Sequence, residues 1–349
     1  QINLFFKKLN MKKKSLSAQK INPKFNNKNI RVILKYFEKK LDKKKSYVVA
    51  VSGGPDSLAL AYITKCFSKK YNTKFYYYLV DHKLRYGSSK EAKIVQKLLK
   101  KIHINCKILK WNGLKPKTNI QATARIKRYS LLIKECNKRK IKDIILGHHK
   151  DDRNENFFIR LTRGSGLKGL ISFKEKNKNF KINFLRPLIN FEKETLINIS
   201  KNVFNFYVKD PSNNDLNFKR IRLRNLMKGL EREGLDKRKL NLTLNNLNES
   251  NNALEFYTNR NISENSYVNL KNNSFILKQD FFMQPNEIVF RSIVLIINSV
   301  SNNYYPPRGK SIIRLLKSFK NGQTVKKLTL GGCLFKKVNE TIIISKEIN

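Results

Sequence analysis

Short apolar runs alternate with longer amphipathic stretches between residues 47 and 146. The runs are rich in β-branched and aromatic residues and predict strands at 47–52, 75–80, 106–109 and 143–146. Apolar residues that recur every three or four positions predict helices at 57–68, 89–102 and 120–138. Ser88, three residues before Glu91, predicts a capping box for the second helix. Strands that alternate with helices form a parallel sheet, so we expect an α/β domain with its ligands at the carboxyl ends of the strands.

The remainder of the chain is less regular. The Lys/Asn-rich segment 174–181 is expected to be a flexible loop, and 231–252 a charged, then Asn-rich helical connection. Amphipathic helices are predicted at 286–301 and 311–319, and a hairpin that turns near Asn339 at 325–338 and 341–345. The expected segments are a basic, disordered tail (1–30), a catalytic domain (31–230), a helical connection (231–260) and a small α+β domain (261–349).

The first predicted strand runs directly into Ser52-Gly53-Gly54-Pro55-Asp56-Ser57. A strand that ends in a glycine pair and opens a helix gathers backbone N–H groups at a positive helix end, which suits phosphate. The glycines allow close approach of a ligand, and the serine hydroxyls add donors. No Gly-Lys-Ser/Thr follows, so this is not a Walker A loop. The alternative is an ordinary turn capped by Asp56 or Ser57.

Net charge adds a second indication of function. The chain has 74 Lys and Arg residues but only 25 Asp and Glu residues, which gives a net charge of +49. So basic a chain indicates a polyanionic partner, and nucleic acid is the preferred interpretation. Drift toward A/T-rich codons is the alternative. Such drift also favours Asp and Glu codons, however, and does not account for the imbalance.

The four cysteines, Cys66, Cys106, Cys136 and Cys333, lie far apart and include no Cys-x-x-Cys pair. This spacing argues against a disulfide scaffold, a zinc ribbon or an iron–sulfur site, and favours buried thiols in a reducing compartment. No apolar run approaches the length of a membrane span. The chain starts at Gln1 with Met11 as an alternative start, and its acid-free first residues also resemble an organellar transit peptide.

Polar motifs follow the other predicted strands. Asp81-His82 follows the second strand and is expected to be a capped loop, with contact to a nucleoside as the alternative. Arg125 and Arg128 lie three residues apart on one helix face suited to phosphate.

The fourth strand is followed by His148-His149-Lys150-Asp151-Asp152-Arg153-Asn154-Glu155. Three acids within five residues of so basic a chain indicate a cationic substrate or a metal. A zinc site is the weaker alternative, since adjacent histidines on a helix do not easily bind one ion.

Basic residues continue beyond these acids. Arg163-Gly164-Ser165-Gly166 is a second Gly-rich element, with an ordinary turn as the alternative. Asp210-Pro211-Ser212-Asn213 leads to Arg220, Arg222 and Arg224, alternating arginines suited to an RNA backbone, with a solvated face as the alternative.

Ser-Gly-Gly-x-Asp-Ser is the signature of the N-type ATP pyrophosphatase (PP-loop) superfamily, which this loop resembles. Across about residues 45–225 the ordered motifs resemble the tRNA(Ile)-lysidine synthetase family. Two later motifs, Tyr305-Pro306-Pro307-Arg308 and Thr329-Leu330-Gly331-Gly332-Cys333, are similar to its tRNA-contacting domain. The chain departs from the family at Lys83 (usually glycine), Arg153, Asn156 and Ile221.

The resemblance implies a PP-loop catalytic domain that adenylylates the wobble cytidine of a CAU-anticodon tRNA(Ile) with ATP and then attaches free L-lysine. It implies that residues 52–57 hold pyrophosphate, that Asp56 binds Mg²⁺, and that His148 and Arg125 act in catalysis. Asp152 and Glu155 would bind lysine. Contacts to tRNA are assigned to Arg163, Arg220, Arg222, Arg224 and Arg308.

A soluble protein without a membrane partner is expected, in a bacterial cytoplasm or in an organelle, and a homodimer is left open. The alternatives are a PP-loop tRNA thiolase, which needs sulfur-handling cysteines, an ammonia-using amide ligase, and a non-catalytic RNA-binding protein.

Overall fold

The structure, a computed structural model, describes residues 28–84, 87–113, 120–173, 176–179, 182–208, 219–301, 307–320 and 327–347. These residues form two compact units. The first contains the described residues up to Arg153 together with 176–177 and 182–208. The second contains 154–173, 178–179 and the described residues from 219 onward.

Two sheets organise the chain. The strands of the first are β1 (Ser46–Val51), β2 (Lys74–Asp81), β3 (Cys106–Lys110), β4 (Asp143–Ile145), β5 (Lys176–Asn179) and β6 (Ile182–Leu185). Those of the second are β7 (Ser266–Asn269), β8 (Ser274–Leu277), β9 (Lys327–Leu330), β10 (Cys333–Val338) and β11 (Thr341–Lys346).

Helices connect and cover these strands. The helices before the second sheet are α1 (Lys28–Lys40), α2 (Pro55–Tyr71), α3 (Ser88–Lys100), α4 (Ile120–Lys138), α5 (Lys150–Leu161), α6 (Leu167–Leu170), α7 (Lys193–Phe204), α8 (Lys219–Arg232) and α9 (Lys237–Asn265). Those that follow β8 are α10 (Asp280–Met283), α11 (Asn286–Ser301) and α12 (Gly309–Lys320).

The first sheet has the strand order β3-β2-β1-β4-β6-β5. The neighbours β3–β2, β2–β1, β1–β4 and β4–β6 pair in parallel. The chain leaves β1 toward one side of the sheet and later returns to the other side at β4, so the strand order reverses there. A ligand crevice of an open α/β sheet lies at the carboxyl ends of the strands at such a reversal.

Both faces of this sheet are buried, which explains why its strands are continuous apolar runs. Val49 packs into a core with α1, α2, α3 and α7. Its neighbour Val48 points to the other face, where it packs with Leu132 and Cys136 of α4. Helix α2 is buried nearly all round, including Leu58, Leu60 and the polar Thr64. The start of α2 is therefore firmly placed at the end of β1.

The second sheet is antiparallel, with the order β7-β8-β11-β10-β9. Helix α11 covers one face, where Ile293 and Ile297 pack into a core with Leu277, Phe335 and Ile344. The alternating burial of β11 matches a sheet with one face on the core. The expected small α+β domain is confirmed.

The predicted strands and helices of the α/β domain are confirmed to within a few residues at their ends. Helices α11 and α12 and the hairpin that turns at Asn339, whose φ is 52°, are confirmed as well. The motif 210–213 and the predicted basic tail up to residue 27 lie outside the described residues.

Three local predictions are wrong. Residues 176–179 form strand β5 at a sheet edge, where main-chain pairing outweighs a polar composition. The stretch 325–338 is not one strand, since Gly331 (φ 65°) and Gly332 (φ 77°) turn the chain between β9 and β10. No capping box forms at α3, because Ser88 hydrogen-bonds to Asp81 instead. The helical prediction for 231–252, by contrast, is confirmed at 237–252, within a helix of 29 residues that ends at Asn265.

The two compact units divide within α5, after Arg153, and the predicted domain bounds stay a prediction. None of the described helices is both long enough and apolar enough to span a bilayer.

Candidate active site

The predicted phosphate-binding loop connects β1 to α2 and is closed by the hydroxyl of Ser57. Ser57 Oγ accepts hydrogen bonds from the backbone N–H (3.1 Å) and the hydroxyl (3.2 Å) of Ser52. The same hydroxyl donates to the carbonyl of Gly54 at 3.0 Å. Ser57 therefore braces the loop, and the exposed Ser52 is at its mouth. The first N–H groups of α2 lack intrahelical acceptors, as at any helix start, and such groups are suited to bind an anion.

Two glycines lie where the loop packs closely. Gly53 has φ 84°, a conformation that favours glycine, and a Cβ there would lie 2.7 Å from Cγ2 of Val95. Its carbonyl accepts the N–H of Val208 at 3.0 Å. A Cβ on Gly147 would lie 3.2 Å from the backbone of Asp56. The residues after β4 therefore approach the start of α2 directly.

His149 joins that start to the acidic beginning of α5. Its Nε2 lies 3.5 Å from Oδ2 of Asp56 and 3.4 Å from Oδ2 of Asp152, and its Nδ1 lies 3.7 Å from Oδ2 of Asp151. The side chain is 4% exposed. Burial acts to lower the pKa of His149, but the contact with Asp56 and the charges of the three carboxylates outweigh it and raise the pKa. The buried His149 ring thus lies between the loop carboxylate and the acidic cluster and contacts both.

Asp56 has the features of a ligand for a cation. Its Oδ1 is buried and accepts no hydrogen bond from any residue that the structure describes. Mg²⁺ is typically held by one or two carboxylates together with phosphate oxygens, so one carboxylate beside a phosphate loop fits it. No group of three or more His, Cys, Asp or Glu side chains in the described residues is arranged to bind a metal alone. The site therefore fits a metal that arrives with phosphate.

His148 contacts a different partner from its neighbour. The Nε–H of Arg186, which directly follows β6, donates to Nδ1 of His148 at 3.1 Å. Arg186 is 6% exposed, whereas His148 is half-buried. Burial lowers the pKa of Arg186, and the nearby charges of Arg125 and Asp152 act on it as well. The two adjacent histidines thus serve separate networks, which does not match a zinc site made from both.

The end of β2 flanks the loop on the other side. Asp81 accepts hydrogen bonds from the hydroxyls of Ser88 (2.9 Å) and Ser89 (2.5 Å) and from the N–H of Lys83 (3.0 Å). Lys83 has φ 51°, a left-handed conformation that suits the glycine usual at this position in the resembled family. The prediction of a capped loop is confirmed.

His82, next to Asp81, accepts the Nε–H of Arg128 on its Nε2 at 3.2 Å. Burial and the charge of Arg128 lower the pKa of His82 to about 4, so this imidazole is neutral at physiological pH. Arg125, one turn before Arg128 on α4, is exposed and stacks over Tyr129 with 5.0 Å between Cζ and the ring centroid. Arginines therefore lie at the ends of both strands that flank the loop.

This geometry agrees with comparisons to known proteins. The PP-loop domain family matches residues 25–230 of the 349 residues. The tRNA(Ile)-lysidine synthase of Wolbachia pipientis wMel is 34% identical over 303 residues, which are 86% of this chain and 70% of that protein. The chain belongs to the tRNA(Ile)-lysidine synthase family.

Two other proteins extend the comparison. The tRNA(Ile)-lysidine synthase of Ruegeria pomeroyi is 29% identical over 82% of this chain and 67% of that protein. The solved structure of the U34-tRNA thiolase NcsA from Methanococcus maripaludis with its [4Fe-4S] cluster has a TM-score of 0.54 and 17% identity, and covers 63% of this chain and 79% of that one. That likeness shows a shared fold.

Asp152 and Glu155, the residues predicted to bind lysine, both lie on α5. Their hydrogen-bond partners differ, and they belong to different compact units. Asp152 Oδ2 accepts a hydrogen bond from the backbone N–H of His149 at 3.1 Å, and Asp152 belongs to the first unit. Glu155 belongs to the second unit, where its Oε1 accepts the Nε–H of Arg224 at 2.5 Å. Its Oε2 is buried and accepts no hydrogen bond from the described residues. Lysine binding at this pair stays a prediction.

The arginines predicted to contact tRNA do not form one set. Arg163, Arg220, Arg222 and Arg308 are exposed, as a nucleic-acid contact requires. Arg224 is half-buried against Glu155. Because α8 is a helix, Arg220 and Arg224 share a face that Arg222 does not, so the alternation seen in the sequence has no counterpart in the structure.

Sequence reasoning missed His149 and Arg186. His149 was treated only as half of a weak zinc alternative, although its place beside three acids was a usable signal. Arg186 carries no signal in the sequence, since it reaches His148 only because β6 pairs with β4.

Proposed function

We propose that this protein ligates lysine to C2 of the wobble cytidine of tRNA(Ile) with the anticodon CAU, and consumes ATP to give AMP and pyrophosphate. The observation that carries the proposal is the junction at His149, where the carboxylate of the phosphate loop and the acidic start of α5 approach one imidazole. Such a junction supports adjacent sites for ATP and for a cationic amine. Membership of the tRNA(Ile)-lysidine synthase family supports the identity of the substrates.

The reaction takes two displacements. O2 of the cytidine attacks the α-phosphorus of ATP, the bond to the β-phosphate oxygen breaks, and pyrophosphate leaves. The ε-amine of lysine, after losing a proton, then attacks C2 and the C2–O2 bond breaks, so that O2 leaves on AMP. Adenylylation is needed because the cytidine oxygen is otherwise a poor leaving group.

The residues at the loop have distinct roles in this proposal. Residues 52–57 would hold the pyrophosphate portion of ATP at the helix start. Asp56 would hold Mg²⁺, which offsets charge on the phosphates. His148 and Arg125 would stabilise the transferring phosphoryl group. Asp152 would attract the cationic lysine, with Glu155 on the next turn of the helix.

Binding of tRNA is supported by the net charge of +49 and by the exposed Arg163, Arg220, Arg222 and Arg308. Such contacts release counterions, so affinity should fall steeply with salt. The target base has to be unstacked to reach the loop. The expected compartment is the bacterial cytoplasm, or an organelle that translates its own messages.

The thiolase alternative is disfavoured by the thiols. All four cysteines are buried, and burial raises the pKa of Cys66, Cys106 and Cys136 to about 12 and that of Cys333 to about 11. The reactive form of cysteine is the thiolate, so none of these side chains is poised to carry sulfur.

The deciding experiment supplies labelled lysine, ATP and transcripts of CAU-anticodon tRNAs. Label should enter the isoleucine transcript with one pyrophosphate released per lysine attached, and should not enter the methionine transcript. Pyrophosphate release that depends on tRNA but not on lysine would indicate a different PP-loop modification. Binding of tRNA without any pyrophosphate release would indicate a non-catalytic RNA-binding protein.

A further inference from the structure

The buried Arg186 hydrogen-bonds to the half-buried His148 in a geometry that has one chemical interpretation. Arg186 lies immediately after β6, is 6% exposed, and directs its Nε–H at Nδ1 of His148 with 3.1 Å between the nitrogens. A guanidinium in a protein only donates hydrogen bonds, because it keeps its protons. Nδ1 of His148 must therefore present a lone pair toward Arg186.

This constraint decides where the proton of His148 resides. A neutral imidazole carries one proton, and with Nδ1 accepting from Arg186 that proton is on Nε2. An imidazolium would direct an N–H at another N–H and bring two cations together, which burial would make costly. The half-buried His148 therefore offers an N–H donor on the side of the ring away from Nδ1.

We infer that Arg186 is a positioning residue, which fixes His148 as a neutral imidazole with its proton on Nε2, so that His148 donates a hydrogen bond to the transferring phosphoryl group. The inference rests on the proposed function for the identity of that group. His148 is therefore a hydrogen-bond donor in this reaction. Its side chain stabilises negative charge that develops on the phosphoryl oxygens and does not act as a general base.

The location of Arg186 supports this role. β6 pairs in parallel with β4, so Arg186, just beyond β6, lies at the same edge of the sheet as the predicted site residue His148, which it contacts. Arg186 therefore lies in the candidate site and not in a separate structural network. The second Arg–His contact of the site, Arg128 to Nε2 of His82, uses the other ring nitrogen, so the two pairs leave opposite nitrogens protonated.

The tautomer can be read directly by NMR. Protein labelled with ¹⁵N-histidine holds four imidazoles, and His148→Gln assigns the signal of interest. The wild-type protein near neutral pH should show a long-range ¹H–¹⁵N pattern with Nδ1 unprotonated and Nε2 protonated. Arg186→Met should shift both nitrogens of His148 toward a mixture of tautomers. A wild-type Nδ1 that carries a proton would overturn the inference, as would unchanged His148 shifts in Arg186→Met.

Kinetics provide the second readout. Arg186→Met should lower kcat for lysine- and tRNA-dependent pyrophosphate release by about 100-fold, with little change in the KM for lysine. Arg186→Lys, which keeps a charged donor, should retain the tautomer and recover part of kcat. Equal losses in the two variants would contradict a donor role. If Arg186→Met fails to fold, the wild-type ¹⁵N spectrum and the spectrum of Arg186→Lys still test which nitrogen of His148 carries the proton.

The control variant is Arg139→Gln, which removes another arginine–side chain hydrogen bond from the first unit, 2.6 Å from Nε to the hydroxyl of Tyr78. It should leave the His148 spectrum and kcat unchanged. Wild-type protein without lysine-dependent pyrophosphate release would refute the proposed function, whereas the ¹⁵N spectrum tests the Arg186–His148 pair independently of activity.

Discussion

Two aspartates at the carboxyl ends of neighbouring strands show opposite uses of the same side chain. Asp81, at the end of β2, is 3% exposed and accepts hydrogen bonds from two serine hydroxyls and a backbone N–H. Asp56, just beyond β1, has a buried Oδ1 that no described residue satisfies. A buried polar atom without a partner costs free energy, so it is expected where a ligand completes the site. Asp81 stabilises a loop, and Asp56 is arranged for a ligand.

The largest effect on activity is expected from substitution of Asp56, whose Oδ1 accepts no hydrogen bond from the described residues. Asp56→Asn keeps the shape of the side chain but removes the charge that would hold Mg²⁺ beside the phosphates. We expect pyrophosphate release to fall by about 10³-fold, which is ~4 kcal/mol in the barrier. Stability and tRNA binding should persist. Parallel loss of tRNA affinity and of the thermal transition would instead give Asp56 a folding role.

The complementary substitution should affect stability. Asp81→Asn replaces an acceptor of three hydrogen bonds with a side chain that accepts fewer, and we expect the free energy of unfolding to fall by about 2 kcal/mol. Denaturant titration followed by circular dichroism measures this change. Folded protein should keep most of its kcat at saturating substrate. A kcat loss like that of Asp56→Asn, at unchanged stability, would remove the distinction between the two aspartates.

The stabilising role of Asp81 predicts a pH dependence. Burial acts to raise the pKa of Asp81, but its hydrogen bonds to Ser89, Lys83 and Ser88 outweigh burial and lower it in the folded state. Its contribution to stability is therefore present above the unfolded pKa of about 4 and is lost as pH falls through the lower folded value. The stability difference between wild type and Asp81→Asn should shrink below pH about 4. If the difference in the free energy of unfolding stayed constant at lower pH, the hydrogen bonds of Asp81 would not depend on the ionised carboxylate.

Glu155 shares features of both aspartates, since Oε1 accepts from Arg224 and the buried Oε2 accepts no hydrogen bond from any described residue. We expect Glu155→Gln to raise the KM for lysine about tenfold, which corresponds to 1.4 kcal/mol. Glu287→Gln is the control, because Glu287 also accepts from an arginine, Arg291 Nε at 2.7 Å, but is exposed and lies on α11 in the second unit. Unchanged lysine dependence in Glu155→Gln would exclude this carboxylate from the lysine pocket.

The smallest effect is expected from exposed charge. Arg308→Gln should weaken tRNA binding modestly and reduce the slope of log affinity against log salt by about 1. Arg260→Gln is the control, since Arg260 is already paired with Glu264 at 2.9 Å. Equal slopes for wild type and Arg308→Gln would mean that Arg308 contacts no phosphate.

Much of the site was predictable because the order of motifs follows the order of strands. Apolar runs locate β1, β2 and β4, and parallel pairing brings their carboxyl ends to one edge. Ser52–Ser57, Asp81, His148 and Asp152 were therefore all identified as residues of that edge. The same logic failed for Ser88, because hydrogen bonding to Asp81 competes with capping, and sequence distance does not rank the two.

The sequence by itself determined the α/β plan, the phosphate loop, the acidic start of α5 and the need for a polyanionic partner. Tertiary structure alone decided what each ionisable side chain does. The adjacent histidines have different surroundings. His149 is buried among carboxylates, whereas His148 accepts a hydrogen bond from Arg186, which follows β6 and is 38 residues away in the sequence. Protonation depends on distances to charges and on exclusion of water, and these quantities exist only in the folded chain.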